Sequence, residues 1–122
     1  MQAPLILLAE DEPIIALHLR LEMQEMGYRV ITATDAEETI KLCAQHLPEI
    51  IILNFWIKEG PDGIELIQSL RNKHNIKVMF ITGARIQDVE KAKAGRKYEV
   101  LYKPFTRKQL RTFLLSSESS GI

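Results

Sequence analysis

Apolar and polar positions follow two rhythms along this chain. Continuous apolar runs such as Leu5-Ile6-Leu7-Leu8-Ala9, Ile50-Ile51-Ile52-Leu53 and Val78-Met79-Phe80-Ile81 read as strands buried on both faces. Between them lie longer segments whose apolar residues recur every three or four positions, as in a helix with one face in a core. The pattern predicts strands near 4–9, 28–33, 49–54, 76–81 and 98–102, and helices near 13–26, 35–47, 63–74, 86–94 and 107–117. Five strand–helix alternations specify an α/β architecture, a parallel sheet with helices on both faces.

Local signals agree with these elements. Pro13 suits the first turn of a helix, where its missing N–H costs little. Gly27 follows that helix as a C-terminal stop. Asp35 with Glu38 forms a capping-box-like pair, and Thr106 can cap the last helix, whose Leu110, Phe113 and Leu114 share a face. Ala36, Ile40, Leu42 and Cys43 read as core. From about Ser116 the chain turns polar, as a frayed tail would.

The polar residues that close the strands carry the chemistry. The first strand ends in Glu10-Asp11, the third in Asn54, the fourth in Thr82-Gly83 and the fifth in Lys103-Pro104-Phe105. In a parallel sheet these ends converge on one edge, where α/β proteins bind ligands. Adjacent carboxylates outline a site for a hard cation such as Mg²⁺, which takes oxygen ligands. The same pair could instead cap the helix starting at Pro13. Thr82 offers a hydroxyl that could instead close a turn, and Gly83 would let the backbone approach closely.

Composition narrows the function classes. A chain of 122 residues is long enough for one domain with one substantial core. Sixteen basic residues balance sixteen acidic ones, so no global field argues for nucleic acid or an anionic membrane. No apolar stretch is long enough to span a bilayer. A single cysteine, Cys43, forms no internal disulfide, and a reducing cytoplasm is the simplest compartment. Lys91, Lys93, Arg96 and Lys97 form a basic run best read as a solvated face. His18, His46 and His74 are too far apart for metal-site spacing and read as surface residues.

The four strand ends together resemble the receiver domain of two-component response regulators, over nearly the whole chain. The resemblance implies a flavodoxin-like (βα)5 doubly wound sheet of strand order 2-1-3-4-5, in one domain over 1–122. In that family the acidic pair binds Mg²⁺, and an aspartate ending the third strand accepts a phosphoryl group whose oxygens a Thr/Ser and a Lys then hold. Glu10, Asp11, Thr82 and Lys103 match these positions, and the main-chain carbonyl of Trp56 falls where another metal ligand is expected. The Lys103–Pro104 peptide is expected to be cis. The implied partners are a histidine kinase, a phosphotransfer protein or another signalling protein, with a homodimer as a further option. The implied role is phosphorelay signalling and not enzymatic turnover.

Asn54 departs from the family at the acceptor position. A carboxylate oxygen can attack phosphorus, whereas a carboxamide is uncharged and its nitrogen lone pair is delocalised. Asn54 still offers a carbonyl to a metal, but one negative charge is gone, and Lys103 is left to turn to Glu10 or Asp11. Two further departures are Val100, where receivers carry an aromatic residue three positions before the Lys, and a loop over 55–63 that is one residue longer than usual. With Phe80-Ile81-Thr82-Gly83, these traits look like the stand-alone F-x-T-G receivers of alphaproteobacteria. Two other readings stay open. In one, Asn54 is a substitution and the native protein is an active Mg²⁺-dependent acceptor, a shuttle or phosphate sink. In the other, the fold is a flavodoxin-like small-ligand binder.

The helix over 13–26 carries two apolar faces. Ile15, Leu19, Met23 and Met26 suit the core, while Ile14, Leu17 and Leu21 lie nearly opposite. That second row reads either as a contact with the last helix or as a docking surface for a partner helix.

Overall fold

A computed structural model of the protein describes residues 3–54, 70, 76–93, 95 and 98–119. The elements are β1 (Leu5–Ala9), α1 (Pro13–Glu25), β2 (Arg29–Ala33), α2 (Ala36–His46), β3 (Ile50–Asn54), β4 (Lys77–Thr82), α3 (Ile86–Lys93), β5 (Glu99–Tyr102) and α4 (Arg107–Ser119). All strand pairs are parallel, in the order β2-β1-β3-β4-β5. The helix expected over 63–74 lies outside the described residues apart from Leu70, which is buried. His74, Arg96, Lys97 and the loop over 55–63 lie outside them as well.

Each face of the sheet carries its own core. On one side Leu7, Ile51, Leu53 and Phe80 meet Cys43 of α2 and Val89 of α3. On the other, Ile6, Leu8, Ile52 and Met79 meet Leu19 and Met23 of α1 and Leu110 and Leu114 of α4. Alternation along the strands assigns each residue to its side. Strands covered on both faces read as unbroken apolar runs, which is why β1 and β3 stand out in the sequence.

The helix ends follow local chemistry. Pro13 occupies the first turn of α1, and Gly27, with φ +102°, adopts the left-handed conformation just past its end. The Glu38 N–H donates to Asp35 Oδ1 at 2.7 Å, and Glu38 Oε1 accepts from the Thr34 N–H at 2.8 Å. At α4 the Gln109 N–H donates to Thr106 Oγ1 and the Thr106 N–H to Gln109 Oε1, a complete capping box. Two expectations change. Ile40 is 37% exposed, not core, on the flank of the buried Ala36, Thr39 and Cys43 side of α2. And α4 continues to Ser119, past the start of the polar tail, while the Ser116 hydroxyl bonds back to the Phe113 carbonyl inside the helix.

Candidate functional site

Strand register builds the site. Ala9 pairs with Leu53, so the next residues along β1 and β3 are Glu10 and Asn54. Asn54 pairs with Ile81, whose successor is Thr82, and Thr82 pairs with Tyr102, whose successor is Lys103. Four residues distant in sequence therefore reach one edge of the sheet. The Lys103 N–H donates to the Thr82 carbonyl at 2.8 Å, extending the β4–β5 ladder into the site, and the Lys103–Pro104 peptide is cis as expected.

Glu10 is the centre of the arrangement. It is only 2% exposed. The Asn54 amide nitrogen donates to its Oε1 at 3.2 Å and its Oε2 at 3.1 Å. The Glu12 backbone N–H donates to Oε2 at 3.2 Å. Lys103 Nζ stands 3.5 Å from Oε1, so the lysine does turn to Glu10. A buried carboxylate persists only when paired and hydrogen-bonded, and these contacts supply both. Sequence reasoning missed the Glu12 N–H. Its signal was the short Glu10-Asp11-Glu12 turn before a proline-started helix, whose first N–H groups need acceptors.

Asp11, next in the chain, is half-buried. Thr82 is fully buried, and its Oγ1 accepts from the Ala84 N–H at 3.0 Å. The residue thus both closes the turn and places a hydroxyl at the edge, joining the two readings its sequence allowed. Gly83 would let the backbone approach closely, but none of the described contacts requires a glycine there. A Cβ there would have Lys103 Cδ at 3.9 Å as its nearest neighbour, an ordinary contact. Trp56, the expected carbonyl ligand, lies outside the described residues.

The donor set bears on the expected metal. Among the described residues, no group of three or more His, Cys, Asp or Glu side chains gathers where it could hold an ion. Both Glu10 oxygens already accept hydrogens, and Asn54 presents its amide nitrogen, a donor, where an oxygen ligand would be needed. Among the described residues, Glu10 and Asn54 in this arrangement do not present an open set of oxygen ligands to a divalent cation.

Val100 is half-buried and faces the same core as Tyr98 and Tyr102. Tyr98 meets Phe80 edge to face, with ring centroids 5.4 Å apart, so the aromatic surface of β5 flanks position 100 and does not fill it. A groove of about 460 Å³ leaves the site between α1 and the start of α4, lined by Ile14, Ile15, Leu19, Lys103, Phe105 and Arg107. Beside it, Ile14, Leu17 and Leu21 form an exposed row on α1. Lys93 of the basic run is paired with Glu90 at 3.2 Å, and Lys91 is exposed.

Comparison with known proteins decides the family. The response regulator receiver domain model matches residues 6–115. This chain belongs to the response regulator receiver family. The receiver is 32% identical over 87 residues to the transcriptional regulatory protein AfsQ1 of Streptomyces coelicolor, covering 71% of this chain and 38% of that protein. It is 29% identical over 103 residues to the transcriptional regulatory protein PdtaR of Mycobacterium tuberculosis, covering 83% of this chain and 50% of that protein. The receiver therefore spans half or less of these relatives. A solved response regulator receiver protein from Sinorhizobium medicae superposes with a TM-score of 0.85 at 22% identity, covering 98% of both chains. That likeness establishes the flavodoxin-like fold with strand order 2-1-3-4-5. Receiver domains act in two-component signalling and interact with kinases and other signalling proteins, and they typically bind Mg²⁺ at an acidic pocket. Among the described residues of this receiver, no helix is long and apolar enough to cross a membrane.

Proposed function

We propose that this receiver passes signals by protein–protein contact without carrying a phosphoryl group at position 54. The observation behind this reading is the Asn54 amide turned onto the Glu10 carboxylate. Acyl phosphate formation needs an anionic oxygen aimed at phosphorus, and here that position holds a hydrogen-bond donor engaged with its neighbour. Thr82 and Lys103 stand at the same edge, where a hydroxyl and an ammonium would suit phosphoryl oxygens, and Lys103 answers the charge of Glu10.

The partners this fits are a histidine kinase, a phosphotransfer protein or another signalling protein in the cytoplasm, and not nucleic acid. The exposed row Ile14, Leu17 and Leu21 has the three-and-four spacing by which one helix seats against another, which favours a helical partner. Self-association through the same row would give a homodimer. The Phe80-Ile81-Thr82-Gly83 segment supports membership of the F-x-T-G receivers.

A second reading has one observation in its favour. Glu10, Thr82 and Lys103 all remain at the edge, so an aspartate at position 54 would meet the surroundings of an acceptor. The native protein would then be a phospho-acceptor and Asn54 a replacement.

Intact-mass analysis after incubation with acetyl phosphate and Mg²⁺ tests the proposal. The chain should stay unmodified, and Asn54→Asp should gain one phosphoryl group. Stoichiometric acid-labile phosphate on Asn54 would defeat it.

A further inference from the structure

We infer that the Asn54 carboxamide and the Lys103 ammonium together stand in for a bound cation, so that this edge of the sheet is complete without any divalent ion. The inference rests on the reading of position 54 as a degenerate acceptor position and adds how the site is regulated: it is set by the chain itself and not by ion supply.

The observation is the environment of Glu10. A carboxylate with 2% exposure needs a counter-charge and donors for its lone pairs. Lys103 Nζ supplies the charge from 3.5 Å. Asn54 Nδ2 supplies donors to both oxygens, at 3.1 and 3.2 Å, and the Glu12 N–H adds another to Oε2. The orientation of the amide is fixed by chemistry, since its carbonyl oxygen would repel the carboxylate it faces. The buried Glu10 charge thus meets one positive charge and two neutral donor groups.

An aspartate at position 54 would overturn this balance. A carboxylate oxygen would stand where the amide nitrogen now lies 3.1 Å from Glu10 Oε2. Two like charges would then face each other in a low-dielectric pocket. Lys103 can neutralise one of them but not both, and the excess calls for an external cation. The side chain at position 54 therefore decides whether the folded protein depends on a divalent ion.

Thermal unfolding of the full chain in EDTA and in millimolar Mg²⁺ tests this. The wild-type midpoint should be the same in both. Asn54→Asp should melt lower than wild type in EDTA, by roughly 5 °C or more, and regain most of the loss with Mg²⁺. The double variant Glu10→Gln/Asn54→Asp again faces one carboxylate with one amide, and it should melt alike with and without Mg²⁺. Should Asn54→Asp fail to fold in EDTA, the double variant decides: folding in EDTA supports the inference, and failure to fold overturns it. Equal EDTA midpoints for wild type and Asn54→Asp would also overturn it, as would a wild-type midpoint that rises with Mg²⁺ as far as the variant's. Phosphoryl acceptance is read separately by mass. A phosphorylated wild type would sink the proposed function and leave the melting comparison to stand or fall alone.

Discussion

The amide nitrogen of Asn54 lies 3.2 and 3.1 Å from the two carboxylate oxygens of Glu10. The side chain that closes β3 thus serves as a clasp on Glu10. The clasp works because β1 and β3 are adjacent in register: Glu10 follows directly on β1, and Asn54 closes β3. It also brings Lys103, from the far edge of the sheet, into a role as internal counter-ion.

Lys103 is expected to contribute to stability through that role. Its side chain is 27% exposed, so solvent screens part of the interaction, whereas the Glu10 side chain is 3% exposed. A hydrogen bond or contact to a charged group is worth about 1.5–3 kcal/mol, and removing one partner leaves the other buried charge less well compensated. Lys103→Met should therefore lower stability by roughly 1–3 kcal/mol in urea unfolding. A variant as stable as wild type would mean that Asn54 and the Glu12 N–H satisfy Glu10 unaided.

The two faces of α1 should respond differently to truncation. Leu19 is 3% exposed and packs with Leu110 and Leu114, whereas Leu17 is 46% exposed. Leu19→Ala should cost about 2–5 kcal/mol. Leu17→Ala should stay within about 0.5 kcal/mol of wild type. Urea titrations of the two variants side by side check this, and equal losses would make the outer row part of the core. Leu17→Glu should in turn weaken association with a helical partner or a second copy, followed by sedimentation.

Cys43 gives a pH dependence of known sign. Burial pushes its thiol above its ordinary value, because desolvation penalises the thiolate. A folded-state pKa above the unfolded one means that the unfolded chain loses this proton first as pH rises. The contribution is thus fully present below the unfolded thiol's pKa of about 8.5 and is lost as pH climbs through the higher folded value. Cys43→Ala should remove part of the fall in stability measured through that alkaline window. An identical pH profile for the two proteins would show the thiol to be irrelevant. In the native protein the buried thiol should also resist alkylation until the chain unfolds.

Much of this architecture is legible before any coordinates. Each described strand lies within about one residue of its expected position, because strands covered on both faces leave unbroken apolar runs. The caps at Asp35 and Thr106 are readable because capping needs particular side chains at fixed offsets. The polar strand ends announce the site, since a parallel sheet must gather them on one edge. What the sequence withholds is orientation. Nothing in the letters says that Asn54 turns its nitrogen to Glu10, or that Lys103 chooses Glu10 over Asp11. Those choices depend on distances of a few tenths of an ångström across three strands. Ile40 is misread for a related reason: an apolar residue one position from a core residue of a helix can point either way. Leu47 gives no warning of its left-handed conformation, with φ 46°, which ends α2 just before Pro48.

The most direct measurement of the central claim is an NMR titration of the isotope-labelled chain with beryllofluoride and Mg²⁺, repeated on Asn54→Asp. Beryllofluoride mimics a phosphoryl group by binding an acceptor carboxylate. With Asn54 in place, the backbone amides of Thr82, Ala84 and Lys103 should keep their positions throughout. In the Asn54→Asp variant they should shift to a new saturable set. Saturable shifts of those amides in the wild-type chain would contradict a site closed by Asn54 and would show that it accepts a phosphoryl-like ligand as it stands.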